Sequence, residues 1–329
     1  MELQKQFTEI TSLIASAKSR AYQAVNKELV TLYWHVGEYV SKQVISKAWG
    51  KSVVKELADF IQVSEPNIIG FSAQNIWRMK QFYETYSKNE KLATLSRELS
   101  WSHNRLILPL ANEQEQEFYL RMSIKENWSV RELERQINSS YYERVMLADA
   151  KLSPLSRELP QDVSNTFKDT YVFELLHLPE EHQEKDLQKA IARNITKFLL
   201  EFGRDFAFMG EEYPLQVGNQ DFAIDLMFYN RSLNCMVAIE LKNERFKPEH
   251  LGQLNFYLEA LDKDIKKEHE NPSIGILLCK GKDDTVVEYA LNRSLSPTLV
   301  ADYKTKLPNK ALLQQKWEEV LANLENEEK

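Results

Sequence analysis

Apolar residues recur every three or four positions through the first 148 residues. Leu29, Leu32, Tyr33, Val36 and Val40 keep that spacing, and Val53, Val54, Leu57 and Ile61 repeat it. This period lines one face of an α-helix, so residues 1–148 read as an all-helical domain. Ser72, ahead of Ala73-Gln-Asn-Ile-Trp-Arg-Met-Lys80, predicts a helix start, because a serine oxygen can accept from a free first-turn N–H. Ser129 with Glu132 has capping-box spacing and predicts another. Five of the six tryptophans lie in this part and read as anchors between helices.

The period fades from about Leu147 to Thr166, where Pro154, Pro160 and several Ser and Asp gather, so residues 149–168 read as a linker. A different pattern fills 169–329. A helix is expected over Glu184–Phe202, closed by Gly203. Strands are expected at 206–209, 213–217, 222–229 and 235–241. Pro248 opens a helix carrying Leu251, Leu254, Leu258 and Leu261. A buried strand at 273–279 and helices near 286–295 and 311–324 follow. Strand 235–241, its helix and strand 273–279 form a βαβ crossover, and the strands before them form an antiparallel meander. The second domain is therefore a mixed-sheet α/β domain, and the whole chain is α+β.

Composition narrows the classes. Hydrophobic residues make up 43% of the 329, enough for a core in each half. The net charge of −7 is uneven. Residues 1–150 hold 19 basic and 18 acidic side chains, a net of +1; the rest hold 23 and 31, a net of −8. That balance argues against broad wrapping of nucleic acid by the second domain, but not against a local basic cleft. Cys235 and Cys279 have no C-x-x-C partner, so neither a zinc site nor a disulfide framework is expected, which suits a reducing cytoplasm. The N-terminus lacks a secretory apolar run, and no stretch reaches 18 apolar residues, so no membrane partner is expected.

Three charges interrupt the apolar strand pattern at 222–242. A buried strand normally excludes ionised groups unless they have partners. If the hairpin turns at Arg231–Asn234, Asn230 pairs with Cys235 and Asp225 faces Glu240. Opposed residues share a face with Cβ atoms about 5 Å apart. Lys242, two residues on, shares it too. Two carboxylates that close repel, and a divalent cation relieves the repulsion. Hard oxygen ligands favour Mg²⁺ or Mn²⁺ over zinc. A lysine beside them can hold an attacking water or offset charge building on a phosphate. Gln253 and Tyr257 add polar groups one turn apart on the following helix. The bland alternative is an ion pair within the sheet between Lys242 and either acid.

Asp225…Glu240-Leu241-Lys242 resembles the active site of the PD-(D/E)XK nuclease superfamily, and Gln253 and Tyr257 resemble its QxxxY helix motif. The runs Phe222-Ala-Ile-Asp-Leu-Met-Phe-Tyr229, Val237-Ala-Ile-Glu-Leu-Lys242 and Phe246-Lys-Pro-Glu-His-Leu-Gly-Gln-Leu-Asn-Phe-Tyr-Leu258 are similar to the YhcG-like family of bacterial nucleases. Leu32-Tyr-Trp-His-Val-Gly37, Gly70-Phe-Ser-Ala-Gln-Asn-Ile-Trp-Arg-Met79 and Trp101-Ser-His-Asn-Arg105 resemble that family's helical N-terminal domain. The resemblance implies a restriction-endonuclease-like core and Mg-dependent phosphodiester hydrolysis, and does not settle the substrate. It implies Asp225, Glu240 and the Leu241 carbonyl as metal ligands, Lys242 as the catalytic lysine, and Glu201 as a helix acid beside the metal. No Pro precedes Asp225; Ile224 stands there.

Phe71–Tyr83 has the position of a recognition helix in helix-turn-helix spacing. Gln74, Asn75, Arg78 and Lys80 would contact DNA, with Arg97, His103, Asn104 and Arg105 toward the backbone. Exposed polar residues on a helix are more often simply solvated. The expectation is a metal-dependent DNA nuclease of repair, recombination or defence. The alternatives are a non-catalytic nucleic-acid-binding protein on a nuclease fold and an adaptor in a restriction or defence assembly. A homodimer, or a protein partner bound through the N-terminal domain, stays open.

Overall fold

The computed structural model describes residues 2–148, 153, 166–294 and 296–327. Its contacts divide the chain into two compact units, Met1–Arg135 and Gln136–Lys329. The division falls ahead of the boundary expected at 148. Residues 136–148 belong with the second unit, where the Arg144 guanidinium donates to the Thr170 carbonyl at 2.8 Å. Most of the expected linker lies outside the described residues.

The first unit is helical. It runs through α1 (Glu2–Ile45), α2 (Lys51–Ser64), α3 (Ala73–Tyr86), α4 (Glu90–Arg97), α5 (Trp101–Ile107), α6 (Glu113–Lys125) and the start of α7 (Val130–Asn138). Ser72 caps α3 as expected, its hydroxyl accepting from the Asn75 N–H at 3.3 Å. Ser129 likewise accepts from the Glu132 N–H at 3.1 Å. Val30, Tyr33, Trp34 and Val40 of α1 are buried, as are Ile76, Met79, Phe82 and Tyr86 of α3. Trp34 and Trp101 pack edge-on against Phe82, which makes these tryptophans core anchors. Gly37 lets α1 and α3 approach backbone to backbone, since a Cβ there would overlap the Met79 carbonyl.

The second unit holds the end of α7, α8 (Tyr141–Met146) and a six-stranded mixed sheet. Its strands are β1 (Thr170–Val172), β2 (Phe206–Val217), β3 (Gln220–Asn230), β4 (Cys235–Arg245), β5 (Ile274–Gly281) and β6 (Thr298–Lys304), in the order β1-β6-β5-β4-β3-β2. β1, β6, β5 and β4 run parallel, and β3 and β2 complete the sheet antiparallel. Helices cover both faces. On one, Leu187 and Ile191 of α9 (Glu184–Arg193) and Phe198 and Phe202 of α10 (Ile195–Phe202) pack on Phe228, Val237, Ile239 and Ile276. On the other, Leu251, Leu254, Tyr257 and Leu258 of α11 (His250–Ala260) and Val287 and Leu291 of α12 (Asp284–Leu291) pack on Met227, Ala238, Leu277 and Val300. A last helix, α13, spans Lys310–Glu327.

Three expectations change. The helix expected over 184–202 is two helices that break at Asn194, whose side chain turns back to the Ala190 carbonyl at 3.1 Å. The strands expected at 206–209 and 213–217 are one strand with a bulge between Phe208 and Gly210. β1 and β6 appear where no strand was expected; both are held by parallel pairing with partners distant in sequence, which local pattern does not signal. Among the described residues no helix is long and apolar enough to cross a membrane.

Gly37→Ala is expected to lower the stability of the first unit by about 1–3 kcal/mol, because a packed backbone contact cannot yield to an added methyl without moving a helix. Urea unfolding followed by tryptophan fluorescence checks this. An unshifted midpoint would show the two helices free to separate.

Candidate active site

The β3–β4 hairpin sets the site. Its turn is Arg231–Asn234, with Asn234 in the left-handed region at φ 50°. The Asn230 side chain accepts from the Leu233 N–H at 2.9 Å, and the Tyr229 hydroxyl reaches Asn234 Oδ1 at 2.6 Å. These local bonds lock the register from Asn230↔Cys235 to Leu226↔Ile239, the register expected from the turn. The ladder stops one pair before Asp225 and Glu240. There the Asp225 carboxylate itself accepts the Leu241 N–H at 2.8 Å. On the other side of β3 the pairing also skips Asp225, between Glu211↔Leu226 and Tyr213↔Ile224. Glu212, across from it, sits at φ 46°. Asp225 therefore stands where both neighbouring strands let go of regular pairing. Gln188 of α9 holds its carbonyl at 3.2 Å.

Glu240 is 2% exposed on a central strand, and its Oε1 has no hydrogen-bond partner. Its Oε2 lies 3.9 Å from Lys242 Nζ, which is also 3.6 Å from Glu184 Oε2. Burial, and then the neighbouring Asp225 charge, push the Glu240 carboxyl up to about 8. Burial raises Asp225 as well, against the Leu241 N–H and Lys242, which favour its charge; Glu184 and Glu212 add repulsion. Four acids thus share this end of the sheet with one lysine. An unsatisfied buried carboxylate oxygen costs about 1–3 kcal/mol or more, and a cation at that oxygen relieves the cost. Among the described residues no three or more His, Cys, Asp or Glu form a ready metal cluster. The donors brought together are the carboxylates of Asp225 and Glu240, hard oxygens suited to Mg²⁺ or Mn²⁺.

Tyr257 of α11 is buried, and its hydroxyl is raised by burial with further contributions from Glu240 and Asp225. Gln253, one turn earlier and exposed, donates to that hydroxyl at 2.7 Å. The structure thus gathers Asp225, Glu240, Lys242 and Tyr257, with Gln253 at the rim.

Glu201 is placed differently from expectation. It is 1% exposed, accepts the Val172 N–H at 3.1 Å, and pairs with Arg144 at 3.3 Å and Lys168 at 3.2 Å. Its charge is answered there. The helix acid beside Lys242 is Glu184, in the first turn of α9. Glu184 and Gln188 went unnoticed in the sequence, although their spacing of four puts both on one face of α9.

The N-terminal candidates also separate. Gln74 and Arg105 are exposed and Arg78 is half-buried. Asn75 is buried, donates to the Gly70 carbonyl and accepts from Trp101 Nε1 at 2.9 Å, so its amide is spent inside the fold. Lys80 pairs with Glu84 at 2.6 Å. His103 bridges Ser100 and the Trp128 carbonyl, Asn104 is fully buried, and Arg97 lies over the Trp34 ring at 4.6 Å.

Residues 9–144 match the family model for the DUF1016 N-terminal domain, and residues 164–318 that for the YhcG PDDEXK nuclease domain. A relative named "Putative nuclease YhcG" in Escherichia coli (strain K12) is 29% identical over 92% of this chain and 90% of its own length. Two solved structures are more distant. A repair endonuclease from Pyrococcus abyssi shares 18% identity at a TM-score of 0.26, over 39% of this chain and 49% of its own. An EndoMS–dsDNA complex shares 18% at 0.27, over 40% and 47%. The chain spans about half the length of each of these two structures.

Glu201→Ala should act on stability. It removes the buried carboxylate that pairs with Arg144 and Lys168 and accepts the Val172 N–H, a loss of about 3 kcal/mol or more. Thermal melts should show it, while Mn²⁺ titrated into the folded protein should bind as in wild type. A stable variant that no longer binds Mn²⁺ would return Glu201 to the metal site.

Proposed function

The chain belongs to the family that joins a DUF1016 N-terminal domain to a YhcG PDDEXK nuclease domain, and from that premise we propose that it is a divalent-metal-dependent nuclease acting on DNA phosphodiester bonds. The observation that carries this reading is the buried Glu240 carboxylate. One of its oxygens is unpartnered, next to Asp225 and within reach of Lys242. A purely structural sheet gains nothing from two buried, adjacent acids whose carboxyls are both pushed up, Glu240 in part by the Asp225 charge.

In this reading Asp225, Glu240 and the Leu241 carbonyl hold Mg²⁺ or Mn²⁺. The bound cation supplies charge stabilisation at the phosphate oxygens and makes water more acidic at neutral pH. Lys242 orients the attacking water and offsets charge building on the phosphate. Its contact with Glu184 keeps the ammonium at the mouth of the pair. The Leu241 N–H and Gln188 fix Asp225, and Gln253 with Tyr257 borders the phosphate from α11. Of the residues first considered for DNA contact, Gln74, Arg78 and Arg105 keep side-chain groups available, and Gln74 and Arg78 of α3 are assigned to the reader helix. Cys235 and Cys279 are free and buried, in keeping with a cytoplasmic enzyme.

Plasmid and oligonucleotide cleavage in Mg²⁺ or Mn²⁺ tests the site. Glu240→Gln and Lys242→Ala should each lower the rate by about 100-fold or more, and EDTA should abolish it. Cleavage that survives in both variants sinks the assignment.

Gln74→Ala/Arg78→Ala tests the reader helix through DNA affinity. A loss of about tenfold is expected, in line with about 1–3 kcal/mol for a good base contact. Equal affinity at several salt concentrations would clear α3 of any role.

A further inference from the structure

Every described side chain from Phe7 to Glu28 of α1 is exposed. Yet Phe7, Ile10, Leu13, Ile14, Tyr22 and Val25 are apolar and each at least half exposed. Phe7, Ile10, Ile14, Ala17, Ala21 and Ala24 alternate spacings of three and four. At about 100° per residue they fall within a stripe roughly 100° wide. The α1 residues buried in the first unit, Val30, Tyr33, Trp34 and Val40, point to the opposite side of the same helix. The stripe therefore faces away from its own core, and no fold of the first unit around the later half of α1 covers it. Patches of this kind on a soluble chain mark an interaction surface.

We propose that the stripe is a self-association surface, on which α1 of a second copy lies antiparallel to form a short coiled coil. Side-chain size selects the occupant and the direction. The large residues Phe7, Ile10 and Ile14 lie in the first half of the stripe, and Ala17, Ala21 and Ala24 in the second. An antiparallel partner sets Phe7 against Ala24, Ile10 against Ala21 and Ile14 against Ala17. Every layer then pairs large with small, the condition for tight interdigitation. A parallel partner stacks large on large at one end and leaves alanine facing alanine at the other.

Charge points the same way. Within residues 7–24, Glu9 lies in the first half, and Lys18 and Arg20 lie in the second. Antiparallel pairing brings unlike ends together, while parallel pairing aligns the two bases with their own copies. Glu28 interrupts the stripe and ends the paired segment at Ala24. Residues 7–24 give a contact about 27 Å long, small by interface standards, so association in the range of about 1–50 µM is expected. The dimer carries two nuclease domains.

Sedimentation equilibrium of the full-length protein from about 1 to 100 µM reads this directly. Wild type should pass from monomer to dimer, and Ile10→Lys/Ile14→Lys should stay monomeric with unchanged circular dichroism. A monomeric wild type at the top concentration, or a variant that still dimerises, overturns the proposal. Direction is tested by oxidising an equal mixture of two single variants, Ile10→Cys and Ala21→Cys. Cys235 and Cys279 are buried and stay out of the reaction. Mixed 10–21 disulfides support the antiparallel pair. Links of 10 to 10 and 21 to 21 overturn it.

Discussion

Glu240 sits in the middle strand of a sheet buried on both faces, with one carboxylate oxygen lacking any donor. Around it the chain departs from regular structure repeatedly. The β3–β4 ladder ends before it, and Asp225 takes a backbone N–H that would otherwise serve the ladder. Glu212 adopts a positive φ across from Asp225. A non-glycine residue in that region costs about 1 kcal/mol or more. Such costs are sustained only where the surrounding packing over-determines the backbone, and here both faces of the sheet are filled with apolar side chains. Rigid packing holds the acids together against their repulsion, and a cation at the free oxygen would turn that repulsion into binding.

Much of this was legible because register in a tight hairpin is arithmetic. Once Arg231–Asn234 forms the turn, the positions of Asp225 and Glu240 follow, and the local bonds of Asn230 and Asn234 enforce it. The apolar runs of β4 and β5 and the leucine spacing of α11 are equally local signals. β1 and β6 were not legible, because their parallel pairing depends on neighbours distant in sequence. The break at Asn194 was hidden for a related reason. Apolar residues continue through it, and only a side chain bonded to its own helix marks the end.

The acids were harder to sort than the elements. Glu201 and Glu184 both lie on the helical segment before β2, and spacing alone does not rank them. What separates them is what surrounds each carboxylate. Glu201 meets Arg144, Lys168 and the Val172 N–H, and all but Lys168 of these sit on elements that pattern alone did not bring near it. Asn75 illustrates the same limit in the first unit. Its position on α3 suits base reading, but Gly70 and Trp101 consume its amide.

The uneven charge of the chain acquires a physical sense from this arrangement. Acids concentrated at the end of β3 and β4 repel a nucleic-acid backbone as well as each other. In the proposed nuclease, substrate approach and metal binding are then coupled, since neutralising Asp225 and Glu240 removes the repulsion that keeps a phosphate away. Lys242 is the lysine found beside the pair, and its ammonium lies within 4 Å of both Glu184 and Glu240. Were Asp225 and Glu240 to hold a cation, Lys242 would no longer have to answer the Glu240 carboxylate and would be available to the phosphate. In the proposed nuclease the buried carboxylate that costs stability would thereby tie the lysine's role at the phosphate to metal binding.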